Sequence, residues 1–225
     1  MTRYMSEGKC SFCNATFSKA AMTRHLKSCK QRKAASETPA EKRNLQKTKS
    51  FHLVVEGRDL PEYWMHLCAP ANATLEDLDD FLRDIWLECC GHLSAFTIEG
   101  TIYSISPMRE YEERGMKIRL GDILGPGMKF YHEYDFGTTT DLTLRVVSEL
   151  EGEAKSKSMQ LLARNDPPPI ACESCGKIAT LVCTECIWSG GGWLCDECAR
   201  EHECGEEMFL PVVNSPRVGM CGYAG

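Results

Sequence analysis

The residues of this chain best suited to chemistry are its fourteen cysteines, most of which stand in pairs. From Cys172 the sequence reads Cys172-Glu-Ser-Cys175, Cys183-Thr-Glu-Cys186 and Cys195-Asp-Glu-Cys198, then His202 and Cys204. Two cysteines separated by two residues can turn both sulfurs toward one ion across a tight turn, which is the ligand spacing of structural zinc. Eight ligands fill two tetrahedral sites and leave no open place for a catalytic water. Redox chemistry at one Cys-x2-Cys pair is the competing reading, but metal explains the three pairs and the His-x-Cys closure together. Cys10-x2-Cys13-x11-His25-x3-Cys29 forms a further ligand set. Phe17 and Met22 hold the places of the aromatic and aliphatic residues that pack a small ββα unit. A helix from about Lys19 to Cys29 puts His25 and Cys29 one turn apart on one face. The expected cofactor is therefore zinc, three ions per chain.

Within the second cluster the spacers leave the pairing open. In a cross-brace, Cys172, Cys175, Cys195 and Cys198 hold one ion and Cys183, Cys186, His202 and Cys204 the other; sequential pairing is the alternative. Cys221 is a potential replacement for Cys204. The apolar run Ile178–Val182 and the Trp193-Leu194 pair read as two strands of a small hairpin around the flexible Ser189–Gly192 segment. The order of ligands and strands resembles cross-brace modules of the B-box and MYND type.

The elements between the clusters must form the main core. Phe51, Leu53 and Val55 alternate with His52, Val54 and Glu56, the pattern of a half-buried strand, and Tyr63–Cys68 reads as its hairpin partner. Thr74, with Asp77 three residues on, signals a helix start. Leu75, Leu78, Leu82, Ile85 and Trp86 form its apolar stripe. Glu76, Asp77, Asp79, Asp80, Arg83 and Asp84 are assigned to the outer face, and Gly91 to the end. Short strands follow at Ser94–Ile98 and Thr101–Ile105, a helical turn at Lys117–Leu124, and strands at Met128–Phe136, Leu142–Leu150 and Ser158–Arg164. Cys68, Cys89 and Cys90 read as core or surface thiols. Hairpins interrupted by two helices favour an α+β fold, a largely antiparallel sheet with helices packed on one face, flanked by two small zinc-binding modules. The divisions are a C2HC zinc finger at 1–30, a basic disordered linker at 31–49, the α+β domain at 50–165 and the two-zinc module at 170–225.

The order of elements in the middle, with Leu120-Gly-Asp-Ile-Leu124 followed by Phe130-Tyr-His-Glu-Tyr-Asp-Phe-Gly137, resembles the plasmid pRiA4b ORF-3-like family over about residues 50–165. The resemblance implies an α+β fold and an association with plasmids and mobile elements, and it brings no established activity. Many members continue with two acids, Trp, an acid and His, where this chain has Thr138-Thr139-Thr140-Asp141-Leu142.

Charge separates the partners. Residues 1–50 carry twelve Lys/Arg against three Asp/Glu, and the remainder 14 against 29, within a net charge of −6. A basic arm on an acidic body suggests an anionic partner for the arm. In ββα docking the base-reading places fall at Ser18, Ala21 and Arg24, of which only Arg24 is a strong base reader. Lys19, Lys27, Lys30, Arg32 and Lys33 could meet phosphates. The expectation is weak, non-specific nucleic-acid contact through the finger and linker, and an unknown protein partner for the acidic two-zinc module. No apolar run approaches the ~20 residues of a membrane span. The start of the chain has no secretory pattern, and the thiol-rich composition suits a reducing compartment, so a cytoplasmic, non-catalytic protein is expected. The alternative is an enzyme or small-ligand protein using the Tyr134–Asp141 region. There His132, Glu133, Asp135 and Asp141 are the densest titratable group, with Glu133 and Asp135 on one strand face. The bland reading of that group is a solvent face, with Asp135 capping the turn at Gly137. No Gly-x-Ser-x-Gly, phosphate loop or Gly-x-Gly-x-x-Gly motif is present.

Overall fold

The computed structural model describes residues 6–36, 48–152 and 158–225. The chain opens with β1 (Glu7–Cys10), β2 (Thr16–Ser18), α1 (Lys19–Ser28) and α2 (Lys30–Ser36). It continues through β3 (Thr48–Gly57), β4 (Trp64–Pro70) and α3 (Leu75–Leu82), then β5 (Ser94–Ile98), β6 (Thr101–Ser104) and β7 (Arg114–Gly115). Next come α4 (Leu120–Ile123), β8 (Lys129–Tyr134), β9 (Thr140–Gly152) and β10 (Gln160–Asn165). The distal part holds β11 (Leu181–Cys183), β12 (Trp193–Leu194), α5 (Asp196–Ala199) and β13 (Phe209–Pro211). Of the stretch expected to be a linker, residues 31–36 belong to α2 and residues 48 and 49 to β3; 37–47 lie outside the described residues.

Ten strands form one sheet in the order β2-β1-β10-β4-β3-β9-β8-β5-β6-β7, antiparallel except for the short β6–β7 pairing. The largely antiparallel α+β architecture expected from the element order is present. Two features depart from expectation. The finger is no separate knob: β1 pairs with β10 from Gly8↔Asn165 to Cys10↔Ala163, so its hairpin extends the main sheet. Helices also cover both faces. Along β4, alternate residues point to opposite sides. Met65, Leu67 and Ala69 join Leu75, Leu78 and Leu82 of α3 in the main core. Trp64 points the other way and packs with Met22 and Leu26 of α1. β3 is consequently buried on both faces over Phe51–Val55 rather than half-buried, because the finger covers what would otherwise be its solvent side.

Helix α3 starts as its capping box predicts. Thr74 N–H donates to Asp77 Oδ2 at 2.7 Å and Asp77 N–H donates to Thr74 Oγ1 at 3.1 Å, which satisfies two of the helix's orphan donors. The helix widens into a π turn at Arg83–Leu87 and stops at Glu88, short of Gly91. Asp79, assigned to the outer face by periodicity, is instead fully buried. It accepts from Arg83 Nε at 2.7 Å and Ser94 Oγ at 2.9 Å, and lies 2.6 Å from His132 Nε2. Burial raises its carboxyl, but His132 and Arg83 outweigh it and hold the group below its ordinary range. A buried carboxylate with three partners is tolerable where an unpaired one is not, which is how a charge sits in this core.

Candidate metal centres

The finger tetrad is assembled by three local devices. The turn after β1 presents Cys10 and Cys13, with Asn14 in the left-handed region at φ 57°. Helix α1 supplies His25, and Cys29 follows at its end. Cys13 Sγ lies 3.3 Å from His25 Nε2, and Cys10 Sγ lies 4.0 Å from Cys29 Sγ. Phe17 stacks on the His25 ring with centroids 4.5 Å apart and fixes its orientation. All four ligand atoms lie within 4.8 Å of one another.

The distal cysteines separate into two groups of the same compactness: Cys172, Cys175, Cys195 and Cys198, and Cys183, Cys186, His202 and Cys204. Alternate pairs therefore share a centre, in cross-brace fashion. The small sheet β12-β11-β13 causes this. β11 ends at Cys183 and β12 leads into Cys195, so the hairpin carries the second and third pairs to opposite groups. Cys175 Sγ and Cys195 Sγ are 3.6 Å apart; Cys186 Sγ is 3.3 Å from His202 Nε2 and 3.8 Å from Cys204 Sγ. Zinc–sulfur bonds of about 2.3 Å imply tetrahedral sulfur–sulfur edges of about 3.8 Å, so these spacings suit one ion per group.

The electrostatics of the thiols points the same way. Burial raises Cys172, but backbone N–H groups of Cys195, Cys175 and Ser174 outweigh it and bring the thiol to about 6. Hydrogen bonds with Cys175 and Cys195 push Cys198 in the same group up to about 12. Cys183 is brought to about 7, burial again being overcome by backbone N–H groups, of Cys186 and Glu185, while sharing with Cys183 pushes Cys186 up to about 12. Without a metal the sulfurs of such a group do not all lose their protons near neutral pH; a dication displaces those protons, because thiolates are its ligands.

A fourth group went unread in the sequence. Cys89, Cys90 and His92, just after the π turn, meet Cys221 from the far end of the described chain. Cys221 lies apart from Cys204, so it does not replace it; Cys183, Cys186 and His202 close on Cys204.

The nucleic-acid residues expected on the finger divide into two sets. Arg24, Lys27, Lys30 and Lys33 are exposed on α1 and α2. Lys19 is paired with Glu56, and Arg32 Nη1 donates to Leu26 O at 2.8 Å. Of the base-reading positions, Ser18 and Ala21 are half-buried and Arg24 is exposed.

In the Tyr134–Asp141 region Glu133 and Asp135 do not share a face, as the alternative reading has them, and Asp135 caps the turn at Gly137. The strand ends at Tyr134, and Asp135 turns into the left-handed region at φ 64°, away from the face of Glu133. Its Oδ1 caps the turn by accepting from Gly137 N–H at 3.1 Å and Thr138 N–H at 3.3 Å. Its Oδ2 accepts from Arg217 Nη2 at 2.7 Å. Tyr134 is fully buried, with the guanidinium groups of Arg83 and Arg217 over its ring at 4.8 and 4.7 Å. Asp141 bonds Arg58 at 3.1 Å, and His132 is buried against Asp79. His132, Asp135 and Asp141 are thus each held by a partner outside the Tyr134–Asp141 region.

No helix among the described residues is long and apolar enough to cross a membrane. A comparison with curated proteins finds no match. Among solved structures, a protein of unknown function from Methanosarcina mazei Go1 is similar at 18% identity and TM-score 0.45, over 53% of this chain and 71% of that one. The family described as plasmid pRiA4b ORF-3-like protein matches residues 50–183, which reach from β3 through β10 to the third cysteine of the distal cluster and leave β1 and β2 outside. With more than half its length so matched, the chain belongs to the plasmid pRiA4b ORF-3-like family.

Proposed function

We propose that this protein is a zinc-organised binding protein, with zinc in the finger and in both distal centres and no catalytic role for any of the three. The observation that carries this reading is that each of the three groups has four Cys/His ligands, which closes a tetrahedral zinc and leaves no place for substrate. The finger makes weak, sequence-independent contact with nucleic acid. In support, α1 is two-sided: Met22 and Leu26 face the sheet, while Arg24 and Lys27 lie on the exposed side and Lys30 is exposed at the start of α2. The distal module docks a protein partner. Its exposed surface is acidic (Glu185, Asp196, Glu197, Glu201, Glu206 and Glu207) and carries Trp188, 65% exposed. Acidic character opposes phosphate binding, and an exposed tryptophan is a common anchor in protein interfaces.

The test is nucleic-acid binding as a function of salt. Each phosphate contact contributes about 0.9 to the slope of log K against log salt on duplex DNA. Arg24→Glu with Lys27→Glu in the full chain is expected to abolish most binding and to flatten that slope by about 2. Binding that keeps its strength and slope in this variant would remove the finger from the interface.

A further inference from the structure

The three expected zinc centres leave Cys89, Cys90, His92 and Cys221 unassigned. From the geometry of these residues we infer a fourth zinc centre, of the Cys3His type, that clasps residues 212–223 to the main domain.

Four observations carry it. The first is distance. Cys90 Sγ lies 3.7 Å from Cys89 Sγ and 3.8 Å from Cys221 Sγ, while His92 Nε2 lies 3.0 Å from Cys90 Sγ and 3.2 Å from Cys221 Sγ. The four atoms lie within 4.8 Å of one another, the same compactness as the other three groups. The sulfur–sulfur spacings sit at the tetrahedral edge of about 3.8 Å that zinc–sulfur bonds require, and they are far from a disulfide bond length of about 2.05 Å.

The second observation is donor chemistry. Three thiols and an imidazole form a soft, four-donor set, which selects zinc over magnesium or calcium. The third is the outer shell. Arg217 Nη2 donates to Cys89 Sγ at 3.4 Å, and Cys89 N–H lies 3.5 Å from Tyr134 Oη. The edge of His92 meets the Tyr134 ring, centroids 5.7 Å apart. Hydrogen-bonded, packed ligands of this kind are what orient a metal site. Three thiolates and one dication leave a single negative charge, and Asp135, whose Oδ2 lies 3.4 Å from His92 Nε2, adds a second; the buried Arg217 guanidinium, against both Cys89 Sγ and Asp135 Oδ2, offsets one of the two.

The fourth is backbone conformation. Cys221 has φ 46°, between Gly219 at 79° and Gly222 at 72°. A non-glycine residue in the left-handed region is strained and persists only where its surroundings hold it. Here the conformation delivers the sulfur to a group whose other members lie about 130 residues earlier in the chain. The segment leading to it is already committed to the main domain. Ser215 Oγ donates to Trp86 O at 2.7 Å, and Arg217 Nη1 bonds Thr140 Oγ1 at 3.0 Å. The ion would lock the end of that strap at the point where the π turn releases Cys89.

Native mass spectrometry of the full chain, purified under reducing conditions with zinc supplied, counts the ions. The expected result is four zincs in the parent protein and three in both Cys90→Ser and Cys221→Ser. Cys13→Ser, Cys175→Ser and Cys186→Ser each remove one of the other three, so a shortfall at those centres is told apart from a shortfall here. Three zincs in the parent with no further loss in Cys90→Ser and Cys221→Ser overturns the inference. So does a Cys90–Cys221 disulfide that persists in reductant. If the serine variants fail to fold, His92→Cys keeps four donors and is expected to bind four zincs, whereas His92→Phe is expected to bind three; equal counts in these two also overturn it.

Discussion

The finger joins the core through backbone. Its strand β1 lies beside β10 as one more strand of the main sheet, and Gly8 is pressed so close that a Cβ there would collide with the backbone carbonyl of Arg164. The distal centres have their own three-stranded sheet, and side chains hold that unit to the core: Val182 and Val218 in the hydrophobic cluster, Arg217 on Asp135 and Thr140. The same ligand chemistry is grafted by ladder hydrogen bonds at one end and by a buried ion pair at the other, and the two attachments should fail under different insults.

Metal removal is expected to have the largest effect. A structural zinc in a finger peptide is worth about 10–16 kcal/mol of binding free energy, and the distal unit has little core besides its ligands. Chelation should abolish hydrogen-exchange protection across β11 and β12. β1 should retain part of its protection, because its partners in β10 and the packing of Met22, Leu26 and Trp64 remain. Equal loss at both ends would erase the distinction.

Next is Arg217→Met. It strands the Asp135 carboxylate in a site where burial opposes its charge and where Arg217, with the N–H groups of Gly137 and Thr138, holds the group below its ordinary range. Breaking a buried pair from one side costs about 3–5 kcal/mol, to be read from urea unfolding of zinc-loaded protein. The finger's zinc content should not change. Gly8→Val is the counterpart at the other end. The added side chain meets backbone rather than a flexible tip, and a cost of about 1–3 kcal/mol is expected. Here β1 protection should fall while the distal zincs stay.

Acid is expected to have the smallest effect, and it acts under the finger. His52 and His66 are fully buried on the face that α1 covers, with His52 Nε2 2.9 Å from His66 Nδ1. Burial, with lesser repulsion from Arg32, Lys27 and Arg145, lowers His52 to about 4; burial and then His52 lower His66 to about 3. The folded values lie below the unfolded 6.5, so between them the unfolded chain binds more protons and stability falls as pH drops. From pH 7 to 6 the two imidazoles together cost roughly 1 kcal/mol. Their NMR shifts should stay flat down to about pH 5; a midpoint near 6.5 would mean that the finger leaves that face open.

The membership of the finger and distal Cys/His groups was legible in the sequence because Cys-x2-Cys spacing is a local property of turns. So were the capping box at Thr74, the order of the central strands and the family resemblance. What could not be read was contact between distant segments. Asp79 falls on the polar face of α3 by periodicity, and only His132, Ser94 and Arg83 explain its burial. β3 carries the alternation of a half-buried strand because nothing nearby announces that α1 will cover its second face. Cys89, Cys90 and His92 lack the spacing of a familiar motif and gain meaning only when Cys221 arrives. The one sequence signal was that Cys221 stands among three glycines, Gly219, Gly222 and Gly225, where positive φ is cheap.

The pairing of Arg217 with Asp135 also sets an order of events during synthesis. The finger has all four of its ligands once Cys29 has been made, yet its neighbour strand β10 comes much later, and the cation that neutralises Asp135 later still. Non-local pairings of this kind fold slowly, and incompletely closed intermediates expose strand edges and apolar surface to aggregation. Until residue 217 emerges, the sheet can assemble around Asp135 only with that carboxylate left without its cation or protonated. A nascent chain of this protein therefore carries one edge of β1 and one edge of β4 unpaired until β10 has been made.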